Sequence, residues 1–257
     1  MDTPSRLTCL LACGLLLAPA LPAQEIFTLR TGFDYSTGNY GLPVSTEIIT
    51  VPVSVAYAVT PSTTLECSVP YLRTNGPGDV IPGIGRYVRR LLQSKHVSQG
   101  AGDFTVGLTH DFAAGEDSLL AWSGGAEVKF GTASAQKSLG TGEDDFMVHW
   151  DVAWSGGAIS PFATLGYRWL GNPAGGDLRN YLFGTVGVNW AWTEHSTVAL
   201  LADWAQRNSD SGRASSNLTL AVTRALGEKC DLQVYGMIGH SDSTADHGYG
   251  LSIGRRF

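Results

Sequence analysis

Charge is scarce in this sequence. Asp, Glu, Lys and Arg make up 16% of the 257 residues, against about 25% in an average soluble domain. With 43% hydrophobic residues and a net charge of −6, the chain lacks the low hydrophobicity and high net charge of a disordered one. Basic charge is scarcest: 17 Lys and Arg stand against 23 Asp and Glu, and no half of the chain is basic, so no nucleic-acid partner is expected. The four cysteines are too few for a disulfide scaffold. Cys9 and Cys13 lie in the N-terminal segment; Cys67 and Cys230 fall on distant predicted strands and are not expected to bridge. After that segment, no apolar run is long enough for a membrane helix.

What is plentiful is glycine, at 32 residues, and aromatics, at 10% with seven Trp. Residues 1–23 read as an export signal: Arg6 supplies the basic start, Leu7 to Leu17 the apolar stretch, and Ala23 the cleavage position. Leu10-Leu11-Ala12-Cys13 looks like a lipoprotein box, but the apolar stretch continues past Cys13. Pro19 and Pro22 argue against a retained anchor helix.

From residue 24 onward apolar residues recur at every second position, as in Phe146, Val148, Trp150, Val152 and Trp154. Successive side chains of a strand point to opposite faces, so each run has one apolar face and one small or polar face. The runs predict strands at 26–36, 45–58, 63–73, 102–112, 118–131, 145–155, 161–170, 180–192, 196–207, 215–225, 230–240 and 247–257. Connections alternate: 59–62, 113–117, 156–160, 193–195 and 226–229 are short, whereas 74–101 and 132–144 are long. The pattern predicts an all-β fold, an up-and-down antiparallel transmembrane β-barrel of about twelve strands over residues 24–257. An even strand count puts both termini on the periplasmic side.

Aromatic positions support a membrane barrel over a soluble one. On the apolar parity, Phe27, Tyr57, Phe112, Trp122, Trp154, Trp190, Trp192 and Phe257 fall near one set of strand ends. Phe33, Tyr35, Tyr71, Phe130, Phe146, Trp169, Trp204 and Tyr249 fall nearer the other. Two aromatic belts around an apolar band mark a bilayer. Tyr249, Leu251, Ile253 and the terminal Phe257 share one parity. They resemble the C-terminal signal that outer-membrane barrels present to the barrel assembly machinery, which implies a Gram-negative outer membrane, its lipid and its lipopolysaccharide. Arg255 departs from that pattern, where an aromatic is common; its stem can snorkel.

A second resemblance covers nearly the whole chain after the signal. It rests on Val69-Pro70-Tyr71-Leu72-Arg73-Thr74-Asn75-Gly76-Pro77-Gly78, Gly100-Ala101-Gly102-Asp103-Phe104 and Lys129-Phe130-Gly131-Thr132-Ala133. Leu139-Gly140-Thr141-Gly142-Glu143-Asp144-Asp145-Phe146 and Leu165-Gly166-Tyr167-Arg168 follow in matching order. Together they resemble the outer-membrane transporters associated with the meta-cleavage pathway of phenol degradation. Gly131 stands where that family often has Pro. The resemblance implies a transporter barrel and leaves the substrate open.

The inward parity carries Arg30, Asp34, Glu66, Asp103, Asp111, Glu127, Lys129, His149, Asp151, Arg168, Asp203, Asp231 and Arg256 as lumen-lining candidates. Ionisable groups there line water or pair with each other, and the acidic excess favours cations. Tyr181, Phe183, Tyr235 and Met237 also point inward. Two readings stay open: a channel passing small, apolar or aromatic molecules, or a structural or surface-interaction barrel with a plugged lumen.

No enzyme is expected. His240-Ser241 and His195-Ser196 face opposite ways on a strand, and no nucleophile is assignable beside His149 and Asp151. No cofactor or metal is expected either, since His240, Asp242, Asp246 and His247 lack rigid ligand spacing. Two wall and loop features remain. Pro52 and Pro70, on neighbouring strands at nearly one height, mark either a bulge or a candidate lateral gap. In the long loop, Arg86, Arg89, Arg90 and Lys95 accompany Tyr87, Val88, Leu91 and Leu92 at helical spacing. That pattern leaves two readings open: a short amphipathic helix between lipopolysaccharide phosphates and the barrel mouth, or a mobile solvated loop.

Overall fold

The computed structural model describes residues 26–78, 80–86, 96–112, 118–154, 156–210 and 212–257. The signal segment and most of the predicted loop helix, including Arg89, Arg90 and Lys95, lie outside the described residues. Arg86, placed at the start of that helix by its spacing, instead belongs to a two-residue strand.

The wall is a closed antiparallel barrel of twelve strand courses. In chain order the strands are β1 (Phe27–Gly38), β2 (Thr46–Thr60), β3 (Thr63–Gly76), β4 (Val80–Ile81), β5 (Gly85–Arg86), β6 (His96–Ala101), β7 (Phe104–Phe112) and β8 (Leu120–Phe130). There follow β9 (Asp145–Trp154), β10 (Ile159–Trp169), β11 (Tyr181–Thr193), β12 (Ser196–Ala205), β13 (Ser215–Ala225), β14 (Cys230–Gly239) and β15 (His247–Arg256). Each wall strand pairs with its sequence neighbour, and β1 closes the barrel on β15 from Thr28↔Arg256 to Thr37↔His247. Both chain ends meet there: Ile26 N donates to Phe257 O at 3.1 Å, and Phe257 N to Phe27 O at 2.9 Å.

Two strands make one course of the wall. β6 and β7 both pair with β3. Tyr71↔Ala101 and Ser68↔Thr105 leave Val69 and Pro70 opposite three residues, 102–104. This one-residue excess is a bulge, which bends a strand and adds twist. The upper half, β6, falls in the segment expected to be loop. Only Val97 of its six residues is a large apolar residue, so the period that marks lipid-facing strands is missing there.

The apolar parity faces outward. Leu165, Val186, Leu220, Val234 and Leu251 are all exposed, and a chain with this surface needs lipid around it. Outward rings pair within one end of the barrel. Phe27 lies 5.0 Å from Tyr57 at the end bearing the termini. Tyr35 lies 5.2 Å from Tyr249, and Phe146 5.3 Å from Trp169, at the other. Tyr249, Leu251, Ile253 and Phe257 share this outer face, and Arg255 lies over the Phe257 ring at 5.1 Å. Cys67 on β3 and Cys230 on β14 are free thiols, with β2, β1 and β15 between their strands.

Candidate functional site

The inner face of the barrel is the candidate site. Its side chains come from the parity left over once the apolar one has turned to lipid. Small residues leave room for large ones across the ladder. His149 stands opposite Gly125, and any Cβ on Gly125 would overlap its ring. Phe162 likewise lies across Gly187.

The charged residues form separate clusters. Arg30 on β1 reaches over Gly254 to Asp231 on β14 with two hydrogen bonds, at 2.8 and 3.0 Å. Lys129 lies 3.0 Å from Asp103 and 3.2 Å from Asp145. It also donates to Glu143 O at 3.1 Å. Asp103 accepts from Ala133 N at 2.8 Å, and Asp145 from Gly171 N at 3.0 Å, so this hub pins two loops at the mouth away from the termini. His149 Nδ1 lies 2.9 Å from Asp151. Arg168 stands 3.7 Å from Glu127, and Arg256 donates to Glu228 O at 2.7 Å.

Four carboxyl groups are left over. Asp34 accepts from the Tyr235 hydroxyl at 2.6 Å, and Asp203 from Thr185 at 2.5 Å. Glu66 is hydrogen-bonded by Ser54, and Asp111 lies on the same face near Asp151. Among the described residues, none of these four has a cationic side chain within ion-pair distance. These four carboxyl groups thus stand outside the direct ion pairs of the inner face.

The lumen-lining candidates read from sequence are all ionisable, and of the apolar patch beside them that reading placed only Tyr235 on the inward face. Phe162, Ala199, Leu201 and Ala221 form a buried cluster, with Ala153 and Tyr235 packed against it. The signal was present: Phe162 and Leu201 sit on the inward parity of strands whose outward parity is also apolar.

The mouth away from the termini is covered. The β4–β5 hairpin buries Val80 against Tyr40, Ile48, Leu42, Ala245 and Met237. Ile81 and Ile84 pack with Leu178 and Leu170. Asn208 donates to Ile84 O at 2.7 Å. Leu139, almost fully buried, packs on Leu72 and Ala133 from the loop before β9. Burial pushes the Tyr40 phenol up to about 12, with nearby Asp246 adding to the shift and a Ser36 hydrogen bond opposing it.

Pro52 and Pro70 are direct partners on β2 and β3. The β1–β2 ladder lapses beside them, between Thr31↔Val53 and Asp34↔Thr50. Both proline carbonyls are paired: Pro52 O accepts from the Thr31 hydroxyl at 2.9 Å, and Pro70 O from Gly102 N at 2.7 Å.

A serine does stand near His149. Ser123 donates to Asp151 at 3.2 Å, and Thr164 to the same carboxylate at 2.6 Å. The hydroxyl of Ser123 therefore bonds the acid and not the imidazole, whereas a hydrolase needs its nucleophile on the base. Among the described residues, no group of three His, Cys, Asp or Glu side chains is arranged to hold a metal ion.

No protein-family model matches this sequence, and no curated protein sequence matches it. Solved structures do. The chain is similar to an outer-membrane channel from Pseudomonas putida F1, with a TM-score of 0.68 and 14% identity over 93% of this chain and 97% of that one. It is similar to the KdgM porin, with a TM-score of 0.51 and 9% identity over 90% and 99%. The translocator domain of the autotransporter NalP from Neisseria meningitidis gives a TM-score of 0.50 and 13% identity over 92% and 90%. At such identities the likeness is one of fold, and that fold is the outer-membrane β-barrel.

Proposed function

We propose that this protein is an outer-membrane channel for the passive passage of small molecules, with both termini in the periplasm. Its cargo is small solutes with an apolar or aromatic part, in keeping with the resemblance to transporters of the phenol meta-cleavage pathway. One observation carries the reading. The closed barrel encloses an inner face lined by ionisable groups, in a fold similar to that of an outer-membrane channel from Pseudomonas putida F1. Outer-membrane lipid and lipopolysaccharide surround the wall, and the barrel assembly machinery reads Tyr249, Leu251, Ile253 and Phe257.

The test is conductance of the refolded protein in planar bilayers, paired with solute uptake by a deletion strain. Steady current steps and lost uptake are expected. A second reading, a structural or surface-interaction barrel without flux, is favoured by the seating of the β4–β5 hairpin in the mouth. Silence in the bilayer, with normal uptake by the deletion strain, would establish it.

A further inference from the structure

The cations at the end bearing the termini are confined to one side of the barrel. The connections 59–62, 113–117, 156–160 and 193–195 at that end hold no Lys or Arg. Arg224 stands near the end of β13, Lys229 in the turn before β14, and Arg255 and Arg256 at the end of β15. Arg256 is buried and donates to Glu228 O. Arg224, Lys229 and Arg255 are exposed.

Arg224 and Arg255 both face outward. Each continues an exposed series: Leu220 and Val222 lead to Arg224, and Leu251 and Ile253 to Arg255. Arg224 pairs with Leu232 and Leu232 with Ile253, and Arg255 lies two residues beyond Ile253. Two strand spacings of about 4.8 Å and two residues of about 3.4 Å set their Cα atoms about 12 Å apart. At that spacing both guanidinium groups reach one phosphate, which such a fork binds well. Arg255 already lies over the Phe257 ring, at the depth of the aromatic belt where headgroups begin. Glu194 and Glu228 are the acids of the adjoining turns; among the described residues neither forms an ion pair with Arg224 or Arg255.

A second feature lies deeper on the same face. A groove in the outer wall is lined by Leu200, Leu218, Leu220, Gly236 and Ile238. Gly236 is its floor. It takes the outward position between Leu220 and Tyr249, and a Cβ there would meet only Gly248 O, at 4.0 Å. Arg224 is four residues from Leu220, about 14 Å along the strand and about 10 Å in depth at a tilt of about 40°. An acyl chain crossing half of an apolar band of about 25 Å covers that depth.

Resting on the orientation proposed above, we propose that this face of β12–β15 holds an anionic phospholipid of the periplasmic leaflet. Its phosphate lies between Arg224 and Arg255, with Lys229 adding to the field, and one acyl chain lies in the Gly236 groove. Charge complementarity selects the headgroup: a zwitterionic lipid brings an ammonium that these cations repel.

The experiment titrates the refolded full barrel, in zwitterionic detergent, with dioleoylphosphatidylglycerol and dioleoylphosphatidylcholine, and counts bound lipid by native mass spectrometry. A basic residue beside an anionic headgroup contributes about fivefold, so the wild type is expected to prefer phosphatidylglycerol by about twentyfold. Arg224→Gln with Arg255→Gln is expected to bring that ratio below about fivefold, whereas Arg224→Lys with Arg255→Lys keeps most of it. Arg73→Gln, at an exposed position toward the other mouth, should leave it unchanged. Gly236→Leu, which fills the groove, should weaken binding of dioleoyl but not of dihexanoyl phosphatidylglycerol. Orientation is read separately from an epitope inserted after Gly157, in an exposed turn; antibody is expected to reach it only in permeabilised cells. Equal binding of the two lipids by folded wild type, or an unchanged ratio in the double Gln variant, overturns the site and leaves the orientation standing. Unchanged dioleoyl affinity in Gly236→Leu overturns the seating of the chain. Staining of intact cells overturns the orientation, and the leaflet with it.

Discussion

The Arg30–Asp231 pair is the sharpest place to test how this barrel closes. The two side chains come from β1 and β14, and they meet across β15 over Gly254. Their two hydrogen bonds are 2.8 and 3.0 Å long, and the side chains are only 14% and 8% exposed. Removing one partner of a buried pair strands the other charge, at a cost of about 3–5 kcal/mol. A lumen holding some water sits at the low end, so Asp231→Ala is expected to cost about 3 kcal/mol. Asp231→Asn, which keeps an acceptor, should cost about 2 kcal/mol. Arg30→Met combined with Asp231→Leu should recover most of the loss, because neither charge is then left alone. Gly254→Ala should mimic the loss, since its Cβ would lie 2.5 Å from Arg30 Nη2 and 2.8 Å from Asp231 Oδ1. The assay is urea unfolding of the refolded barrel in lipid vesicles, followed by tryptophan fluorescence and by gel mobility of unheated samples. A loss below about 0.5 kcal/mol for Asp231→Ala would show that the pair contributes no more than a surface ion pair, and the closure argument would fail.

Three further outcomes are expected. Deleting Phe257 should lower the heat-modifiable, folded fraction in the outer membrane, because the exposed terminal ring completes the outward series on β15; equal folded yield would refute that role. Replacing Pro52 and Pro70 with Val should leave uptake of both an apolar and a polar probe unchanged, since both proline carbonyls already have donors. Selective loss of apolar uptake would instead mark this stretch of wall as a lateral exit. The Tyr40 phenol, raised to about 12 in the folded protein, should contribute stability that is complete below its ordinary value near 10 and lost as pH rises through about 12. Alkaline melting that is steeper in the wild type than in Tyr40→Phe, measured between pH 9 and about 12, checks this; identical curves refute it.

The wall was legible in the sequence because its signal is local. A side chain that faces lipid must be apolar, and its neighbour on the strand points the other way. Phe146, Val148, Trp150, Val152 and Trp154 therefore announce β9 without reference to any other strand. Where a strand rises clear of the apolar band that rule lapses, and His96–Ala101 was read as loop although it forms β6. The inward parity of Arg30, Asp151 and Asp231 was equally readable, since it is what remains after the outward set is assigned.

Their partners were not readable, because partners depend on register between strands far apart in the chain. Only closure of β15 on β1 brings Arg30 over Gly254 to Asp231, 201 positions away. Only the register of β9 to β12 lines up Asp151, Thr164, Thr185 and Asp203, with Phe162 and Leu201 beside them. The hairpin in the mouth is also a tertiary result: Val80, Ile81 and Ile84 lie in a segment without periodicity, and they are buried by residues from five other connections and strands. Alternation fixed which face each side chain takes, since that follows from the backbone of a single strand. Closure of the barrel decided which side chains meet, since that requires every strand to take its place at once.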